Sequence, residues 1–105
     1  LGGEWEVRFG DSQPAKGWDD LCSRATEKTR RAFEMMRAQP RPTRDDDHYQ
    51  LSGSLGHREW RGRQLEQWQV KVGSGARIWY LPDDETRTVW VVYAGVAHPK
   101  ATEPR

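Results

Sequence analysis

The chain of 105 residues has room for one modest core, and with 34% hydrophobic and 31% charged residues it is strongly polar. A net charge of +1 neither demands nor excludes a polyanionic partner, the single cysteine, Cys22, excludes an internal disulfide, and no apolar run approaches the roughly 20 residues of a membrane-spanning helix. The expectation is one cytoplasmic domain over residues 1–105, whose six tryptophans supply large apolar surface from few positions.

The amino-terminal Leu-Gly-Gly shows no signal-peptide pattern. Trp5, Val7 and Phe9 then alternate with Glu4, Glu6 and Arg8, the period of a half-buried strand, which Gly10 and Asp11 end. From Pro14 the period changes. Trp18, Leu21, Cys22, Ala25, Thr29, Ala32, Phe33 and Met36 fall at spacings of three and four, the stripe of an amphipathic helix. Ser23 and Thr26 are residues of the capping type, so the segment is expected to form a helical hairpin broken between Cys22 and Thr26. Pro40 and Pro42 forbid continuation.

Residues Arg41 to Gly53 read as a loop carrying the run Asp45-Asp46-Asp47-His48, with a short extended piece at His48 to Leu51. Strands are expected at Ser54–Trp60, Gln64–Val72, Ala76–Leu81 and Thr86–Tyr93, joined by short Gly- and Asp-containing turns and therefore as an antiparallel meander. The whole predicts an α+β fold in which a helical hairpin packs on one face of a twisted, mainly antiparallel sheet of four to five strands.

The alternation along these strands assigns their faces. Trp68, Val70 and Val72 point to the helices, leaving Gln67, Gln69 and Lys71 on the other side. If Ile78 and Tyr80 share the core side, Arg77 and Trp79 stand outward beside Lys71. Composition alone makes this a solvated sheet face, with each guanidinium or ammonium head kept wet on an apolar stem. From Ser54 to Leu81, five cations (Arg58, Arg61, Arg63, Lys71, Arg77) stand against Glu59 and Glu66, a distribution consistent with a polyanion-facing sheet.

The order strand, helical hairpin, antiparallel meander, with the segment W-Q-V-K-V-G-S-G-A-R-I-W-Y ending at Tyr80, resembles the RelE/ParE superfamily of bacterial toxins. The tail Y-A-G-V-A-H-P-K-A-T-E, Tyr93 to Glu103, is similar to those of the HigB-like and YoeB-like branches. The resemblance implies the toxin of a type II toxin–antitoxin system. Such a toxin would be an endoribonuclease that cleaves mRNA on the ribosome without metal or other cofactor, neutralised by a cognate antitoxin. It also implies site residues: Arg77 after the turn, Lys71 on the preceding strand and His98 in the tail as catalytic groups. Lys100, Arg61, Arg63, Gln69 and Trp79 are the companion candidates for RNA binding. Two readings of the same fold stay open: a ParE-like poison of DNA gyrase without catalysis, and a noncatalytic interaction relative. The chain also departs from the family in that Gln69 occupies a position expected to be basic, and no tyrosine follows Tyr93.

Metal-free cleavage needs removal of a 2′-hydroxyl proton, compensation of phosphorane charge and a proton for the leaving oxygen. Arg77 stays charged, so it suits two phosphate oxygens rather than proton transfer. His98 changes protonation near neutrality and is the candidate acid or base, with Lys100 favouring its neutral form. Plainer roles compete: His98 shaping a strand end, His48 and His57 as surface residues, Trp79 and Trp90 filling a core, and the aspartate run as solvated loop.

Overall fold

The computed structural model describes residues 4–73 and 75–96. The element order is β1 (Glu6–Phe9), α1 (Ser12–Arg24), α2 (Thr26–Ala38), β2 (His48–Gln50), a 3-10 turn (Gly53–Gly56), β3 (His57–Trp60), β4 (Arg63–Glu66), β5 (Trp68–Val72), β6 (Ala76–Asp83) and β7 (Thr88–Gly95). Two helices pack against a five-stranded sheet of order β1-β7-β6-β5-β2, antiparallel except for the parallel β1–β7 pair, and β3 and β4 form a separate two-stranded sheet.

The helical hairpin breaks at Ala25, within the expected interval. Asp11 caps α1 by accepting from the Gln13 amide at 2.9 Å. The hydroxyls expected to cap α2 act differently. Ser23 Oγ donates to the Asp19 carbonyl, and Thr26 Oγ1 to that of Cys22 at 2.6 Å. Ser23 bonds back to a carbonyl within its own helix, Thr26 satisfies one of the carbonyls that the end of α1 leaves unpaired, and α2 begins without a side-chain cap. At Gly17, α1 rests directly on β7: a Cβ there would stand 1.7 Å from the Ala94 carbonyl oxygen.

The core lies between helices and sheet, with Leu21, Ala32 and Met36 against Trp68, Val70, Val72, Ile78, Tyr80, Val89, Val91 and Ala94. The predicted single strand Gln64–Val72 is two strands, because Gln67 is pinned sideways. Its amide donates to the Gly56 carbonyl, its carbonyl accepts from the Leu51 amide, and its side chain donates to Leu55 and accepts from Arg58. The chain turns at Gln67, and the β3–β4 hairpin leaves the meander to lie over the helix-free face near β6 and the start of β7. There Trp60 stacks on Trp90 with centroids 5.6 Å apart.

A bulge between Trp79 and Tyr80 leaves Val92 without a register partner, since Trp79 pairs Tyr93 and Tyr80 pairs Val91. Val89 and Val91 face the helices, but after the extra residue Ala94 takes over that face and Tyr93 turns to the other. That side carries a second, smaller core of Tyr49, Leu51 and Trp79, with Leu55, Val92 and Tyr93 packed on it.

Candidate functional site

Lys71 and Arg77 are direct partners across the β5–β6 ladder, and Arg77 faces Gly95 across β6–β7. The turn between β5 and β6 is short and Gly73 takes a φ of 83°, a conformation glycine adopts without steric cost. Both cations are partly buried on the helix-free face. The Arg77 fork donates through Nη1 to the Ala76 carbonyl at 3.0 Å, while its Nε is buried with no hydrogen-bond partner among the described residues. Tyr93 completes the row: its hydroxyl lies over Gly95, where a Cβ would stand 2.5 Å away. Burial pushes the Tyr93 phenol above its ordinary pKa, so it keeps its proton.

Beneath these groups lies a hydrogen-bonded layer that corrects the solvated-face expectation. Gln69 is 0% and Trp79 3% exposed, so neither offers a surface on which RNA could lie. Instead, Trp79 Nε1 donates to Gln69 Oε1 and Gln69 Nε2 to the Tyr49 hydroxyl, each at 2.7 Å. The Tyr49 ring in turn sits under two cations, Lys71 Nζ at 5.6 Å and the Arg44 guanidinium at 4.6 Å from its centroid. The Trp79 and Tyr93 rings touch at 6.2 Å between centroids. Arg44, Tyr49 and Tyr93 were not singled out from the sequence. The alternation of the extended piece at His48–Leu51 was the available signal for Tyr49.

Arg61 and Arg63 are held at the other end of the face. Arg61, at φ 54°, and Gly62, at φ 86°, form the β3–β4 turn, which returns the exposed Arg61 guanidinium over Trp90 at 4.5 Å and Trp60 at 5.4 Å. Trp90 and Gly95 are separated by five residues of β7, so this stack is roughly 16 Å from Arg77 at 3.3 Å per residue. Arg63 Nη2 donates to Asp83 Oδ2 at 2.7 Å. Burial raises the Asp83 carboxyl, but hydrogen bonds from Arg63, Trp90 and Thr86 outweigh it and hold its pKa below the ordinary value. Arg58 is spent on Gln67, and Arg41 bridges Glu66 and Asp84. Much of the hairpin's positive charge therefore fastens the hairpin, while Lys71 and Arg77 make no ion pair among the described residues.

His98 and Lys100 lie outside the described residues. His57 is exposed at the start of β3, as expected, and Trp90 is buried under the hairpin. His48 is not a surface residue: it is 1% exposed and its Nε2 meets the Tyr80 hydroxyl. That hydroxyl donates its one proton to the Pro40 carbonyl at 2.8 Å, so it accepts from His48 Nε2–H, leaving Nδ1 unprotonated and buried without a partner among the described residues. Asp45, Asp46 and Asp47 are exposed, and Asp45 Oδ1 accepts from the Asp47 amide. No cluster of three His, Cys, Asp or Glu among the described residues could hold a metal, and no helix there is long and apolar enough to cross a membrane.

No protein-family model and no curated protein matches the chain. Solved structures do. It is similar to a metal-bound toxin from Helicobacter pylori at TM-score 0.64 and 12% identity, covering 93% of this chain and 99% of that one. The archaeal RelE of a RelE–RelB complex from Pyrococcus horikoshii matches at TM-score 0.60 and 14% identity, over 87% of this chain and 92% of that one. The RelBE2 toxin–antitoxin complex from Mycobacterium tuberculosis contributes a match at TM-score 0.54 and 17% identity, over 90% and 92%. At these identities the likeness is one of fold.

Proposed function

We propose that this chain, which has the RelE-like toxin fold, is the toxin of a toxin–antitoxin pair and an endoribonuclease that cleaves mRNA on the ribosome. The observation that carries the reading is the direct Lys71–Arg77 pairing, two cations side by side on a face that the helices leave open. The Arg77 guanidinium, a planar fork that stays charged, suits the two non-bridging oxygens of a scissile phosphate, and its charge gains most when the phosphorane forms. Lys71 would neutralise the same group or its neighbour. Tyr93, held protonated beside Arg77, would donate a hydrogen bond to the phosphate rather than take a proton. Proton transfer is left to His98, and Lys100 to the RNA backbone. Arg61, stacked on tryptophan with its charge exposed, would contact the RNA further along the face.

An antitoxin is the expected partner, since two of the similar structures are toxin–antitoxin complexes. An acidic segment that orders on binding would complement the Lys71–Arg77 end. Induced expression followed by pulse labelling tests the reading. Protein synthesis should stop first, and replication only later. Early arrest of DNA synthesis would instead favour a gyrase poison, and uninterrupted growth a noncatalytic relative.

A further inference from the structure

One group on the helix-free face belongs neither to the hairpin staples nor to the Lys71–Arg77 pair. Arg44 is exposed in the connection between α2 and β2, and its guanidinium rests on the same Tyr49 ring that Lys71 overlies. The two ring distances put the charges at most about 10 Å apart, one Debye length at 0.1 M salt. Arg41, three positions earlier, is tied to Glu66 and Asp84, and Arg63 to Asp83, whereas Arg44 has no ion pair among the described residues. The nearest carboxylate in sequence, Asp45, turns one oxygen to the Asp47 amide.

Two like charges gathered on one ring are a poor packing device. A single cation satisfies the ring quadrupole, and a second adds repulsion that a bound phosphate would relieve, although Asp45 and Asp47 border the groove beside Lys71. The ring is also fixed from below, because its hydroxyl accepts from Gln69, whose other end is locked to Trp79. A buried amide with both ends bonded is a device for fixing position. We propose that Tyr49 is a platform that holds Arg44 beside Lys71 to grip a second phosphate of a single-stranded RNA, and that Gln69 positions this platform. The assignment rests on the RNA-cleaving reading and adds two things to it: a phosphate ligand, Arg44, and a positioning residue, Gln69.

The test is the salt dependence of binding to a short, uncleavable 2′-O-methyl oligoribonucleotide, followed by fluorescence anisotropy from about 50 to about 300 mM KCl. Each lost contact to single-stranded phosphate lowers the slope of log K against log salt by about 0.7. Arg44→Ala should lower it by that amount, as Lys71→Ala does. Arg30→Ala, which removes a charge paired with Glu34 on α2, should leave it unchanged. Tyr49→Leu and Gln69→Leu should lower the slope although neither removes a charge, and Tyr49→Phe, which keeps the ring but loses the bond from Gln69, should match Gln69→Leu. A wild-type slope in Arg44→Ala, or an equal loss in Arg30→Ala, would overturn the proposal while leaving the RNA-cleaving reading intact. Absence of salt-dependent binding by the wild-type chain would remove both.

Discussion

Gln69 and Trp79 are direct register partners on β5 and β6, and their side chains are joined by a hydrogen bond from indole Nε1 to amide Oε1 at 2.7 Å. The same amide donates to Tyr49, so a single buried side chain ties three strands together on the helix-free face. Gln69→Leu keeps the volume but leaves the indole N–H without its acceptor. It should destabilise the fold by roughly 1–3 kcal/mol, the cost of a buried polar group left unsatisfied. Urea unfolding checks this, and an unchanged midpoint would mean that water reaches the layer.

Gly17→Ala should be among the most damaging single-methyl additions to the chain. Its Cβ would meet the Ala94 carbonyl oxygen at 1.7 Å, and both are backbone-anchored, so α1 must lift from β7. A loss of about 3 kcal/mol or more is expected, at the upper end of overpacking. Gly62→Ala meets nothing within 4 Å and suffers only from its φ of 86°. It should cost about 1 kcal/mol. Melting curves of the two variants should separate clearly, and equal curves would contradict the close approach of α1.

Burial lowers the His48 pKa below its ordinary 6.5, against the opposing pull of Asp45. The unfolded chain then binds a proton more readily than the folded one, so stability is fully present above about pH 6.5 and falls with pH until the folded-state pKa is passed. Denaturation of the wild-type chain between about pH 7 and pH 5 should show this limb. In His48→Asn the limb should flatten, whatever the absolute stability of the variant. A limb of the same steepness in the variant would assign it to other groups.

The strand, the helical hairpin and the core stripe were legible because their periods are local: Trp68, Val70 and Val72 face the helices as alternation requires. What the sequence concealed depends on chain-distant contacts. The break at Gln67 is made by residues 51–58, through the 3-10 turn and the start of β3, and nothing in Gln64–Val72 announces it. Strict alternation along β7 would place Tyr93 with Val89 and Val91 in the helix-side core, and only the bulge at Val92 brings it beside Arg77. The outward assignment of Gln69 and Trp79 held as a direction but failed as exposure, because Tyr49 and Tyr93 arrive from other strands to cover them. His48 misled for a similar reason. Its acidic neighbours are exposed, while its own ring is drawn inward by the Tyr80 hydroxyl.

The pairing of Lys71 with Arg77 is the centre of the functional account, and single-turnover cleavage of mRNA programmed into ribosomes tests it most directly. The wild-type chain should cut the message, and Arg77→Ala should slow the cut by about 10²–10³-fold, the loss expected for one preorganised transition-state donor. Its unfolding midpoint should hardly move, because among the described residues the Arg77 side chain hydrogen-bonds only to the adjacent Ala76 carbonyl. An intact message in the presence of wild-type protein, or undiminished cleavage by a folded Arg77→Ala variant, would contradict the account.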